Sequence, residues 1–130
     1  MTGNAGVNVL NGLGSNDIMA GLGGADTLVF STALGVANVD IITDFSVAED
    51  TIQLAATAFS GLTSGLTLSA AAFAANVTRQ ATDAFQRIIY ETDTGNLWFD
   101  ADGLGGATRV QFGDLASSLA VANAGFFVLV

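Results

Sequence analysis

Histidine, cysteine and lysine are absent from this 130-residue chain, and each absence excludes a chemistry. Without histidine there is no zinc–histidine site, no Ser-His-Asp triad and no H-E-x-x-H metalloprotease helix. Without cysteine there is neither a disulfide nor a thiolate metal site. Positive charge is scarce: Arg79, Arg87 and Arg109 stand against 12 acidic residues, for a net charge of −9. A chain this acidic repels nucleic acid and anionic membranes, so no nucleic-acid partner is expected. No apolar run reaches the ~18 residues that span a bilayer, so no membrane insertion is expected either. The N-terminus lacks the basic and apolar regions of a cleaved signal. Met1 runs almost directly into patterned sequence, as expected of a piece of a larger protein or of a start codon added to one. G-x-S-x-G, P-loop and complete G-x-G-x-x-G motifs are missing as well.

What is present is periodic. Gly3, Gly12 and Gly21 open three consecutive blocks of nine, GNAGVNVLN, GLGSNDIMA and GLGGADTLV. The sixth positions are Asn8, Asp17 and Asp26, and the eighth are Leu10, Met19 and Leu28. Glycine at the turn, a carboxylate two residues before a large apolar residue and a strict period of nine match the calcium-binding nonapeptide G-G-x-G-x-D-x-U-x. Glycine permits backbone angles closed to other residues and lets carbonyls crowd together. Those carbonyls and the Asp carboxylates make the oxygen cage that Ca²⁺ prefers. No block buries its own apolar residue, so stacking and metal binding are expected to occur together. The competing reading, a flexible glycine-rich linker, does not keep Asp and Leu in register. Asn8 in place of Asp, and Ser15 in place of the fourth-position glycine, mark imperfections. The first block reads as a frayed end, with Asp17 and Asp26 the principal ligands.

Length and charge agree with this. At 130 residues the chain suits a single domain, residues 1–130, that buries about two-thirds of its unfolded surface. Self-repulsion destabilises the metal-free state, and calcium relieves it. A secreted domain without disulfides needs another staple, and calcium supplies one.

Beyond the blocks the period becomes strand-like, in TLVF (27–30), VDIITDF (39–45), DTIQL (50–54), QRIIYE (86–91), NLWFD (96–100), TRVQF (108–112) and the final GFFVLV. TDTGN and ADGLGGA read as hairpin turns. SAAAFAA (69–75) reads as a short helix capped by Ser69, and DLASSLAV (114–121) as a helical turn. The expected fold is all-β: a parallel β-roll over 2–29, then an antiparallel sheet or sandwich-like cap over 30–130 with one short helix.

With GLGGADTLVFS (21–31), VDIITDFSVAEDTIQL (39–54), RIIYETDTGNLWFDADGLGG (87–106) and the apolar end, the chain resembles the C-terminal repeats-in-toxin domain of type I-secreted bacterial proteins, of the serralysin C-terminal type. The resemblance implies that each calcium lies between a block and the block 18 residues later. One site would use Asn4, Gly6 and Asn8 with Gly21, Gly23 and Asp26. A second would use Leu13, Ser15 and Asp17, with Asp50, then Asp44, as the partner carboxylate supplied after the roll. A turn or strand-end Asp making an ordinary backbone hydrogen bond is the competing reading for each, and for Asp40 the preferred one. The resemblance also implies an extracellular location, export by type I secretion machinery and an attached upstream domain of a parent protein. The last stretch would serve as an uncleaved secretion signal, although Gly125 stands where an acidic residue is usual.

Other signals compete poorly as chemistry. Asp100-Ala-Asp102-Gly103 lacks the glycine and glutamate spacing of an EF-hand and reads as a hairpin turn. Asp40/Asp44 and Glu49/Asp50 are paired carboxylates that calcium and turn roles already explain. Trp98, Tyr90 and Phe99 alternate within a hairpin, so at least one of them is core. The expected function is a non-catalytic calcium-binding module that folds after secretion and supports an attached protein. The alternatives are an extracellular carbohydrate- or surface-binding adhesion module around Trp98, and a non-catalytic fragment of a secreted hydrolase.

Overall fold

Strand alternation sends the eighth residue of each block inward. In the computed structural model, which describes residues 1–130, Leu10, Met19 and Leu28 are 6%, 0% and 1% exposed, whereas Val9 and Ile18 beside them are 69% and 60% exposed. They lie on β1 (Val9–Asn11), β2 (Ile18–Met19) and β3 (Thr27–Phe30). Successive strands go to opposite sheets. β1 and β3 pair in parallel, Val9 beside Thr27, while β2 belongs to the second sheet.

The coil does not stop where the nonapeptides stop. β4 (Asp40–Ile42) pairs in parallel with β2, and β5 (Thr51–Ala55) pairs in parallel with β3. The expectation of a roll confined to residues 2–29 is therefore corrected. Two further strands continue the same two-sheet winding, with longer connections between them.

The remaining strands are β6 (Phe73–Asn76), β7 (Ile88–Glu91), β8 (Asn96–Phe99), β9 (Val110–Asp114) and β10 (Phe126–Leu129). One sheet runs β1-β3-β5-β10 and is parallel throughout. The other runs β2-β4-β9-β8-β7-β6, and only β7-β8 and β8-β9 are antiparallel. The all-β class holds, but the antiparallel cap shrinks to one meander. Parallel pairs join the meander to the coil on one side and to β6 on the other.

The expected helix at SAAAFAA is also corrected. Only Ala70–Ala72 form a 3₁₀ turn, Ser69 makes no side-chain cap, and the chain enters β6 at Phe73. Three alanines do not repay helix nucleation, whereas Ala74 is buried in β6 and the Phe73 ring packs 5.6 Å from Phe126. Residues 115–121 likewise form a turn and no helix. No helix is long and apolar enough to cross a membrane.

A continuous core of 19 buried residues runs from Leu10 to Val128. At its wide end Phe59 packs edge-on against Phe112 (4.9 Å) and Phe99 (5.3 Å), and Phe30 against Phe112 (5.3 Å). Edge-to-face rings at this spacing add about 0.5–1.5 kcal/mol per pair beyond area burial. Tyr90 is fully buried because its hydroxyl is satisfied twice, donating to Ala116 O (2.6 Å) and accepting from Leu119 N (3.1 Å).

Candidate metal centre

Turns join the two sheets along two edges of the coil. On the first edge the turn 21–26 sits on the turn 3–8: Thr27 N donates to Asn8 O (2.9 Å), and Asn8 N donates to Asp26 Oδ1 (2.8 Å). A Cβ on Gly24 would lie 2.8 Å from Gly6 O, and one on Gly3 would lie 2.8 Å from Gly21 O, so the two turns touch through bare backbone. The structure thus brings together Asn4, Gly6, Asn8, Gly21, Gly23 and Asp26, the six residues expected to share one site. The carbonyls of Asn4, Gly6, Gly21 and Gly23 accept no hydrogen bond from the protein.

The glycine at the first position of a block answers to the side chain at its sixth. A Cβ on Gly21 would stand 2.1 Å from Asp26 Oδ2, and one on Gly12 2.7 Å from Asp17 Oδ2. The carboxylate folds back over its own turn, into space that only glycine leaves free. Left-handed backbone falls instead at the second and fourth positions: Leu13 (φ 64°), Ser15 (φ 87°), Leu22 (φ 75°) and Gly24 (φ 97°). Three of those four are not glycine, so the turns carry strain.

Asp26 is 1% exposed, and its hydrogen bonds can be accounted for atom by atom. Its N–H donates to Asp50 Oδ1 (2.9 Å), its carbonyl accepts from Thr51 N (2.9 Å) and its Oδ1 accepts from Asn8 N. Oδ2 is buried with no partner. Asp17 repeats this on the second edge: its N–H donates to Asp40 Oδ1 (3.0 Å), its carbonyl accepts from Ile41 N (2.8 Å), and its Oδ2 is buried with no partner. A buried carboxylate oxygen without a donor costs about 1–3 kcal/mol or more, which a cation would cancel. No three carboxylates converge at one point. An ion on either edge would therefore rest on turn carbonyls plus one carboxylate or two, an all-oxygen set suited to a hard cation.

The second edge is grouped differently from expectation. Neither Asp44 nor Asp50 reaches Leu13, Ser15 and Asp17; both lie on the first edge, and Asp40 is the residue that meets Asp17. Asp50 accepts from Asp26 N and from Ser46 N (2.8 Å), while Asp44 accepts from Gly21 N (3.0 Å) and Leu22 N (2.7 Å). With both oxygens of each engaged, these two carboxylates cap backbone. Burial pushes the Asp40 carboxyl above its ordinary range; the bond from Asp17 N opposes this and the Asp17 charge reinforces it. Around Leu13 the protein supplies its own polar partners. Thr32 Oγ1 donates to Leu13 O (2.5 Å), and Val39 N donates to Asn16 Oδ1 (2.8 Å). The first edge thus keeps its four turn carbonyls free, whereas on the second Leu13 O is already engaged.

A signal for Asp40 does exist in the sequence. Asn8-Val9-Leu10, Asp17-Ile18-Met19, Asp26-Thr27-Leu28, Asp40-Ile41-Ile42 and Asp50-Thr51-Ile52 are five copies of one triplet, acid or amide, any residue, large apolar. In the strand registers Ile18 lies beside Ile41 and Thr27 beside Thr51, so Asp40 and Asp50 continue the columns of Asp17 and Asp26.

Asn8 closes its column without charge. Its Oδ1 accepts from Asn4 N (2.7 Å), and Asn4 Oδ1 accepts from Gly6 N (2.8 Å). The first turn is held by its own amides, whereas the turns below it hold unpartnered carboxylate oxygens. Comparison with protein-family models, with curated proteins and with solved structures finds no match for this chain.

Proposed function

We propose that this chain is a calcium-binding module in which ion binding between stacked glycine turns drives folding of the coil. One observation carries the reading: Asp26, at the sixth position of its block, holds a fully buried oxygen with no partner beside hydrogen-bond-free turn carbonyls. Asp17 supports a second, weaker site whose surroundings Thr32 and Asn16 partly satisfy. Asp44 and Asp50 hold the turns that build the first site. With dissociation constants of about 0.1–1 mM, as in extracellular modules, 10 mM calcium contributes about 1.4–2.7 kcal/mol per site. Two sites give about 3–5 kcal/mol, comparable with the whole stability of a small domain.

In this reading the module is non-catalytic and works outside the cell. Where calcium is scarce, a chain of net charge −9 repels itself and stays open enough for export, by the type I route that its resemblance suggests. Where calcium is abundant the coil closes and supports an attached domain. The adhesion alternative is less favoured, because Trp98 is not an open stacking platform: the guanidinium groups of Arg79 and Arg109 lie 5.9 and 5.4 Å from its ring centroid.

The test is a calcium titration from chelator to about 10 mM, followed by far-ultraviolet circular dichroism with magnesium as the control. A cooperative gain of β-signal with calcium alone is expected, displaced to higher concentration in Asp26→Asn. A spectrum that is β-rich in chelator and unchanged by calcium would sink the proposal.

A further inference from the structure

Arg109 is the one cationic side chain that finds no polar partner in the protein. Arg79 pairs with Glu91 (3.7 Å), and Arg87 donates to Ala84 O (2.7 Å) and Gln86 O (3.2 Å). Arg109 makes no hydrogen bond, and its Nε is shut off from solvent with nothing to donate to. What holds it is Trp98, under a guanidinium 5.4 Å from the ring centroid. Glu91 accepts from Trp98 Nε1 (3.0 Å) and pairs with Arg79, and it makes no ion pair with Arg109. In a molecule of net charge −9, one positive charge thus has no ion-pair partner and rests on the Trp98 ring.

It faces a cleft of about 410 Å³ between the loop after β3 and strand β9. Val36 and Val39 line it from the loop, and Trp98, Thr108, Arg109 and Gln111 line it from β8 and from β9 and the residues before it. Val36 is 93% exposed, so the apolar wall is open to a ligand. Gln111 commits one N–H of its amide to Gly113 O (3.3 Å), so the cleft offers the Arg109 guanidinium as its one charged donor, with the Thr108 hydroxyl and the second Gln111 N–H beside it. A planar guanidinium pre-set by stacking matches a carboxylate in two parallel hydrogen bonds. The valines suit a flat apolar body attached to it.

We infer that this cleft binds a small monocarboxylate, its acid group on Arg109 and Thr108 and its apolar face on Val36 and Val39. The net charge argues against an extended polyanion. Two sources share this chemistry, a free aromatic acid and a single uronic-acid unit. None of the cleft residues is a ligand in the calcium reading, but Val39 donates its N–H to Asn16 of the second turn, so the cleft is tested on the calcium-loaded fold.

Trp98 is the single tryptophan, so its emission reports on the cleft without interference. Benzoate and glucuronate are titrated into the folded chain in calcium buffer, with benzamide and glucose as neutral counterparts. For ligands of this size a saturable change with a Kd of about 1 mM is expected from at least one acid. Its neutral counterpart should bind at least about tenfold more weakly, as expected when a charge-assisted pair is lost. Saturation by benzoate alone assigns the aromatic source, and saturation by glucuronate alone the sugar source. Arg109→Gln should abolish saturation. Because that change also disturbs the indole stack, Thr108→Val is measured beside it; it leaves the stack intact and should weaken binding severalfold. Non-saturating quenching equal for acids and neutral counterparts overturns the inference, as does saturation that survives Arg109→Gln.

Discussion

Replacing Asp26 and Asp50, each by asparagine, separates a cation ligand from a backbone cap. In Asp26→Asn the acceptor for Asn8 N is kept, while the charge on the unpartnered, buried oxygen is removed. A buried unsatisfied group costs about 1–3 kcal/mol, and the amide retains part of that, so in chelator the variant should be more stable by about 1 kcal/mol. In 10 mM calcium it forfeits one site, about 1.4–2.7 kcal/mol, and should fall below the parent. Its stability therefore crosses that of the parent between the two buffers. Asp50→Asn behaves otherwise. Both Asp50 oxygens accept backbone N–H groups, from Asp26 and Ser46, and an amide keeps only one acceptor. The orphaned N–H should cost about 1–3 kcal/mol with or without calcium. Urea midpoints in calcium, and in chelator with sucrose added to fold the metal-free chain, give all four differences, and thermal midpoints should move by about 3–5 °C per kcal/mol at this chain length. If Asp26→Asn loses the same amount in both buffers, Asp26 is a cap like Asp50 and the metal argument fails.

Ser15 holds φ at 87° on an exposed turn, so Ser15→Gly should stabilise the fold by about 0.5–1 kcal/mol, measured in urea; a loss would show that the strain is not there. Gly21→Ala drives a methyl to 2.1 Å from Asp26 Oδ2 and should cost about 1–3 kcal/mol and displace the carboxylate. Adding Asp26→Ala should recover part of that cost, and strict additivity would deny the contact. Burial alone holds the Asp114 carboxyl above its ordinary range. The folded chain then binds that proton more tightly than the unfolded one, so its contribution is present at low pH and lost as pH rises through the folded pKa. Asp114→Asn should flatten that decline in a stability-versus-pH series and raise stability at neutral pH, whereas an unchanged slope would refute it.

The three glycine blocks announced β1, β2 and β3 because there the spacing of nine is unbroken. β4 and β5 are the same structural device hidden by longer connections: Val9 pairs with a residue 18 positions later, but Thr27 pairs with Thr51 and Ile18 with Ile41. A fixed-period reading loses them, while the recurring triplet at Asp40 and Asp50 keeps them. The same columns give Asp40 its place beside Asp17. A lone Asp before a strand reads as a turn residue until the strand register sets it beside Asp17. At residues 69–75 local propensity pointed to helix, and tertiary pairing of Ala74 beside Ile89 prevailed. The role of Trp98 was open for a related reason. Alternation places Tyr90 and Phe99 inside, at 0% and 6% exposed, but says nothing of two arginines converging on the outward indole.

Strand β10 lies beside β5 with Phe126 next to Ile52, and β9 lies beside β4 with Gly113 next to Asp40. Each half of the coil thus keeps a bare edge until chain from far downstream arrives to cover it. Such distant partners make closure slow, in the range of milliseconds to seconds, because loop entropy must be overcome before the contact repays it. The parallel edges of β4 and β5 therefore stay uncovered until β9 and β10 have been made. The order in which residues appear thereby becomes a timer, set by topology, that delays commitment to the native state until the downstream strands are present.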